Sequence, residues 1–223
     1  MGNKMGKADK MSSMQMGLTL LFVVSLLISN IITSKQVLLP FNITMTGAVF
    51  IFPVTYILSD VFSEVYGYKW SRVTCYLGFI FNLYMVVIFT FVIKTPAPDY
   101  WDNQEAFEVV LGNTPRILVS SLIAFIVGDL VNDRIFEKMK KRHPSNHVGF
   151  GARAILSSLG GELVDSLIFL PLAFYGQMPV KTLATMTVMQ VLIKTGYEVV
   201  ILPVTRAVVS IVSKKEKELA GEL

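Results

Sequence analysis

Long apolar runs separated by short polar connections dominate this chain. A bilayer core about 30 Å thick is crossed by roughly 20 apolar residues when they form a helix. A membrane-spanning open sheet would leave backbone groups without partners in lipid, and barrel strands would alternate in polarity, which favours helices here. The pattern therefore predicts an all-α integral membrane protein with six transmembrane helices, at Leu18–Thr33, Gly47–Val65, Val73–Ile93, Arg116–Phe136, Ala152–Tyr175 and Thr182–Val212.

Composition supports a membrane-embedded chain. Hydrophobic residues make up 53% of it and charged residues 16%, whereas soluble domains carry about 25% charged residues. We expect one transmembrane domain at 18–212 between short cytoplasmic tails at 1–17 and 213–223, with the lipid bilayer as its surroundings. A net charge of +4 is too small to indicate nucleic-acid binding, so none is expected. One cysteine (Cys75) and two histidines (His143 and His147) predict neither a disulfide nor a metal site, and no cofactor is expected.

Charges in the connections predict the orientation, because cytoplasmic loops are enriched in lysine and arginine. The connection Thr95–Pro115 is acidic, whereas the other charged connections are basic. Both termini should then face the cytoplasm, in a multi-pass protein of the cytoplasmic (inner) membrane. A 3+3 repeat of opposite halves, as in many transporters, and a homodimer are both left open. The basic residues are Lys4, Lys7, Lys10, Lys69, Arg72, Lys138, Lys140, Lys141, Arg142, Arg153, Lys214, Lys215 and Lys217.

Ionisable residues occur inside four of the predicted helices. Each costs about 2.5 to 3.5 kcal/mol at the centre of a membrane helix, so each needs a reason. Spacings of three or four residues place the members of each pair on one helical face. Asp129 with Asp133 could be satisfied at the cytoplasmic end, and Lys194 with Glu198 could form a local ion pair. The other pairs are Asp60 with Glu64 and Glu162 with Asp165, of which the second has the least obvious structural explanation.

Proline and glycine add two further expectations. Pro53 and Pro203 lie within predicted helices and should kink them. Gly160 and Gly161 should permit close helix packing, since no strand precedes them and no phosphate-binding motif follows.

A long motif in the second run resembles the signature of the queuosine precursor transporter family. It reads from Phe52 through Pro53-Val54-Thr55-Tyr56-Ile57-Leu58-Ser59-Asp60-Val61-Phe62-Ser63-Glu64-Val65-Tyr66-Gly67-Tyr68 to Lys69. Later blocks follow in the family's order, namely Thr114-Pro115-Arg116-Ile117, Asp165-Ser166-Leu167-Ile168-Phe169, Ala173-Phe174-Tyr175-Gly176, and Gln190 with Lys194 and Pro203. The resemblance implies an integral membrane importer of 7-deazaguanines that works without a dedicated ATPase.

The residues suit such a ligand. A 7-deazaguanine presents two adjacent donors, the ring N1–H and the exocyclic amine, which match the two oxygens of one carboxylate. Lys194, Gln190 or Asn30 could donate to the ring carbonyl, and Tyr56, Tyr66, Phe169 and Phe174 could stack on the ring. The expected substrate site comprises Asp60, Glu64, Tyr66, Glu162, Asp165, Gln190, Lys194 and Asn30.

The leading prediction is a secondary transporter, not an enzyme, that imports 7-cyano-7-deazaguanine, 7-aminomethyl-7-deazaguanine or queuine. One alternative is the substrate-binding subunit of an ATPase-energised vitamin importer, although Ser25, Ser29 and Thr33 form only a partial small-residue stripe for docking. An intramembrane aspartyl hydrolase lacks a supporting motif, and an ion channel fits the mixed charges less well. The sequence leaves the preferred precursor and any proton coupling open.

Overall fold

The computed structural model describes residues 11–142 and 147–220, with side chains for all of these except 133, 136, 137, 140–142, 147–155, 157, 158, 198, 199 and 220. The lysines at 4, 7 and 10 and most of the basic connection around His143 and His147 lie outside the described side chains, as do Asp133 and Glu198. The predicted orientation rests largely on those residues and stays a prediction.

Most of the described chain is α-helical. Three described segments are long and apolar enough to cross a membrane, at Ser13–Ile32, Phe52–Lys94 and Gln104–Asn132, and a bent helix near the C-terminus would make a fourth. The predicted helical membrane architecture is thus confirmed, whereas six crossings stay a prediction. The helices are α1 (Ser13–Ile32), α2 (Phe52–Val61), α3 (Gly67–Lys94), α4 (Gln104–Leu111), α5 (Thr114–Arg142), α6 (His147–Phe174) and α7 (Val180–Ala220).

The chain reverses direction between α2 and α3. A π-helical turn, Phe62–Tyr66, joins them and ends at Gly67, whose φ of 78° lies outside the helical region. The ring centroids of Phe22 and Phe62 are 6.2 Å apart, and a methyl group placed on Gly78 would lie 3.8 Å from the same Phe22 ring. In a straight helix Phe62 and Gly78 would be about 24 Å apart. Both helices therefore pack against α1.

Two short strands depart from the all-helical prediction. Strands β1 (Gln36–Leu39) and β2 (Ile43–Thr46) pair antiparallel between α1 and α2, with Gln36 opposite Thr46 and Leu39 opposite Ile43. Phe41 and Asn42 in the turn have φ of 63° and 58°. Asparagine tolerates the left-handed region through local hydrogen bonding, whereas a bulky phenylalanine rarely adopts it. The hairpin was not predicted because it is too short to show clear alternation.

The structure contains only one of the two predicted proline kinks. Pro53 lies in the first turn of α2, where its missing N–H costs nothing, so the predicted kink there is wrong. In α7, the segments Val180–Tyr197 and Val200–Leu219 meet at 46°. Pro203 cannot donate to the carbonyl four residues earlier, which accounts for the predicted bend at that point. Helix α7 also extends beyond the predicted end at Val212.

Close packing of α5 and α6 forms one wall of the interior. A methyl group added to Gly161 would lie 2.8 Å from the carbonyl oxygen of Gly128, and one added to Gly128 would lie 2.8 Å from that of Gly161. These distances leave no room for side chains at either position. The packing role predicted for the glycine pair is confirmed, and it brings Asp165 against Gly128.

Candidate functional site

A cavity of about 580 Å³ lies between α1, α2, α3, α5, α6 and α7. Its volume falls in the range of pockets that hold small organic ligands. Six of its lining side chains are charged, whereas the rest are mostly aromatic, hydroxyl or amide groups. The charged residues are Asp60, Arg72, Asp129, Glu162, Asp165 and Lys194.

An ion pair between α6 and α7 stands in this cavity. The Nζ of Lys194 donates to the Oδ2 of Asp165 over 3.0 Å. Lys194 is 8% exposed, and its ammonium lies 5.4 Å from the centroid of the Phe52 ring. Tyr56 and Glu162 are also close enough to interact with it electrostatically. The described partner of Lys194 is thus on another helix, whereas the side chain of Glu198, predicted as a local partner, lies outside the described residues.

The side-chain amide of Gln190 lies beside this pair and can accept a further hydrogen bond. Gln190 lies on α7 one turn before Lys194, lines the cavity and is 1% exposed. Its Oε1 accepts no hydrogen bond from the described residues. Because a buried polar atom without a partner costs about 1 to 3 kcal/mol, a bound polar ligand would recover that free energy.

A second ion pair joins α3 to α5. One guanidinium nitrogen of Arg72 lies 2.8 Å from Oδ1 and 2.6 Å from Oδ2 of Asp129. The guanidinium also lies 4.9 Å from the centroid of the Tyr68 ring. The sequence placed Arg72 in a connection and left Asp129 to be satisfied at the cytoplasmic end of its helix. A charged residue at the edge of an apolar run was the available signal, but sequence alone does not show which helices are neighbours.

Most predicted site residues meet in the cavity. Asp60 on α2, Glu162 and Asp165 on α6, and Gln190 and Lys194 on α7 all line it. Asn30 on α1 lines it as well, and its Nδ2 donates to the Oδ1 of Asn82 on α3. Asn82 is 2% exposed and was missed, although a lone amide within an apolar run is a readable signal. The structure thus brings together residues from four separate runs of the sequence.

Two predicted site residues lie elsewhere. Glu64 is exposed and does not line the cavity. The hydroxyl of Tyr66 donates to the Oε1 of Glu216 over 2.7 Å, and the hydroxyl of Ser12 donates to the same oxygen. The structure therefore does not bring Glu64 and Tyr66 to the cavity with the other predicted site residues. Tyr66 instead ties the turn after α2 to the beginning of α1 and the end of α7.

The aromatic residues divide in the same way. Tyr56 and Phe169 line the cavity and are available to stack on a flat ligand. Phe174 is 3% exposed and packs in an apolar cluster with Leu170 and Met186. Among the described residues, no three His, Cys, Asp or Glu side chains are grouped as ligands of a metal ion.

Comparisons with known proteins identify the family of this chain. Residues 46–208 match the family model described as "Putative vitamin uptake transporter". The chain belongs to this family. It is also 25% identical over 177 residues to the "Probable queuosine precursor transporter" of Bacillus subtilis (strain 168), covering 79% of this chain and 77% of that protein. No solved structure matches the chain.

Family membership and the apolar helices together identify a multi-pass transporter of the cytoplasmic membrane. The family description is that of transporters, which agrees with the expectation that the chain is not an enzyme. The match also covers α2, α3, α5, α6 and most of α7, which carry every charged residue of the cavity.

Proposed function

We propose that the protein imports queuosine precursors, binding a 7-deazaguanine in the cavity between α1–α3 and α5–α7. The Lys194–Asp165 pair beside the partnerless Gln190 Oε1 is the observation that carries the proposal. The relative in Bacillus subtilis, named as a probable queuosine precursor transporter, supports the choice of substrate class.

The hydrogen-bonding groups of the cavity complement those of the base. A carboxylate of Asp165 accepts from both N1–H and the exocyclic amine, while the ammonium of Lys194 donates to the ring carbonyl. Gln190 supplies a further acceptor, and Tyr56 and Phe169 offer faces for stacking. Because Lys194 and Asp165 are neighbours, one ligand edge can reach both.

The charged groups stand well inside the helices. Asp165 is nine residues from the end of α6, and Lys194 is fourteen residues from the start of α7. These separations correspond to about 14 Å and 21 Å along the helices, which is consistent with a site near the bilayer midplane. Substrate sites of secondary transporters occupy that depth, where helix movements open them to either side in turn.

Binding to purified protein tests the ligand and the site together. We expect 7-cyano-7-deazaguanine, 7-aminomethyl-7-deazaguanine or queuine to bind at micromolar strength or better. Asp165→Asn and Lys194→Met should each abolish that binding. Asp99→Asn and Lys215→Met are matched controls, because both residues are exposed and lie outside the cavity. Wild-type protein that binds none of these ligands would contradict the proposal.

Reconstitution into liposomes tests the transport mode. A secondary transporter should accumulate labelled precursor without ATP or any other protein. Uptake that appears only with an added ATPase module, or copurification with one, would favour the alternative of a substrate-binding subunit. Imposing or collapsing a proton gradient in the same liposomes determines whether uptake is coupled to protons.

A further inference from the structure

The cavity carries more negative than positive charge. Its lining contains four acids and two bases. Each base already has an acid of its own, since Arg72 pairs with Asp129 at 2.6 Å and Lys194 with Asp165 at 3.0 Å. The described lining therefore carries a surplus of two formal negative charges, and Asp60 belongs to neither of these ion pairs.

Asp60 on α2 lies near two other carboxylates. The charged groups that act most strongly on Asp60 are the carboxylates of Glu64 and Glu162, which repel it. Among the described residues, no lysine or arginine forms an ion pair with Asp60. Its side chain is exposed to the cavity space, so a ligand can reach it. Repulsion between carboxylates in a partly dehydrated site is relieved most directly by a bound cation.

Another part of the cavity contains a buried acceptor atom that a ligand could bond. Gln190 is buried, and its Oε1 has no described hydrogen-bond partner. Glu162 lies three residues before Asp165, about 4.5 Å along α6, so the acids of the cavity lining adjoin the Lys194–Asp165 pair. A single ligand can thus occupy both regions.

We infer that the cavity selects a 7-deazaguanine bearing a cationic arm, the 7-aminomethyl form, over the neutral 7-cyano form, and that Asp60 binds its ammonium group. This inference rests on the proposed function. The arm leaves the five-membered ring, whereas N1–H and the exocyclic amine belong to the six-membered ring. These two sets of donors are too far apart to bind one carboxylate. Asp165 therefore binds the N1–H and exocyclic amine, and Asp60 binds the ammonium of the arm. The nitrile carries no charge and leaves the surplus uncompensated.

Dissociation constants of the two precursors test this assignment. We expect wild-type protein to bind the 7-aminomethyl form at least tenfold more tightly than the 7-cyano form near neutral pH. Asp60→Asn should bring the ratio close to one by weakening the 7-aminomethyl form alone. Asp99→Asn is the matched control, because Asp99 is exposed and lies outside the cavity, and it should keep the preference.

Each result of this experiment either supports or overturns the inference. Equal binding of both precursors by wild type, or a preference that survives Asp60→Asn, overturns it while the proposed function stands. A preference lost in Glu162→Gln but kept in Asp60→Asn moves the ammonium to Glu162 and also overturns it. Binding of neither precursor by wild type contradicts the proposed function itself. If Asp60→Asn does not yield monodisperse protein, Asp60→Ser takes its place with the same expectation.

Discussion

Asp60 and Glu64 stand four residues apart on one helical segment, yet their surroundings differ. Asp60 belongs to α2 and lines the cavity, whereas Glu64 belongs to the π-helical turn Phe62–Tyr66 and lies outside it. In an α-helix a separation of four residues keeps two side chains on one face. A π-helix bonds residues five apart and widens the turn, so the side chains within and after it no longer follow the α-helical spacing.

The same turn separates two kinds of polar cluster. Asp60 is repelled by the carboxylates of Glu64 and Glu162, of which only Glu162 shares the cavity with it, and this repulsion favours the binding of a ligand. Outside the cavity, the Glu216 carboxylate accepts hydrogen bonds from Tyr66 and Ser12, so its charge is stabilised within the protein. A carboxylate that accepts hydrogen bonds from separate helices has a structural role. Acids that repel each other indicate a binding site instead.

The largest effect should come from breaking the buried ion pair in the cavity. Lys194→Met leaves the Asp165 carboxylate without its cation, which typically costs 3 to 5 kcal/mol. We expect a marked loss of thermal stability and the loss of precursor binding, measured by thermal unfolding and by ligand binding in detergent. The double variant Asp165→Asn with Lys194→Met should recover much of the stability but none of the binding. Recovery of binding in the double variant would show that the pair does not contact the ligand.

The next effect should come from the glycine contact behind the cavity. Gly161→Leu forces a side chain against the Gly128 carbonyl, and overpacking of this kind costs about 1 to 3 kcal/mol. We expect a lower unfolding temperature and weaker binding, since α5 and α6 carry Asp129 and Asp165. Gly17→Leu on α1 is the control, because no atom lies within 4 Å of the added carbon there. Equal stability of the two variants would contradict the close packing of α5 against α6.

Sequence reasoning located the buried charges but not all of their neighbours. Asp165 and Lys194 could be predicted because an ionisable residue in an apolar run is costly and needs a reason. The partner of Asp129 could not be predicted, since Arg72 is distant in sequence and helix adjacency depends on packing. Helical periodicity assumes an unbroken α-helix, so it could not show that Glu64 and Tyr66 lie outside the cavity. The β1–β2 hairpin was missed because each strand has four residues.

A smaller effect should follow from removing the hydrogen bond between Tyr66 and Glu216, which lies outside the cavity. Tyr66→Phe removes a hydrogen bond to a carboxylate, which is worth about 1.5 to 3 kcal/mol. Because Ser12 still donates to Glu216, we expect the low end of that range, measured as a drop in unfolding temperature. Dissociation constants of the precursors should stay within twofold of wild type. Tyr76→Phe, at an exposed position of α3, is the control for removing a hydroxyl.

The smallest effect should come from Glu64→Gln. Because Glu64 lies outside the cavity, removing its charge affects the ligand only through its repulsion of Asp60, which solvent screens at an exposed position. We therefore expect less than a twofold change in the dissociation constant of any precursor and unchanged uptake into liposomes. A loss of binding as large as that expected for Asp60→Asn would mean that both carboxylates face the ligand. The segment would then present one continuous acidic face, and the contrast between its α-helical and π-helical parts would not hold.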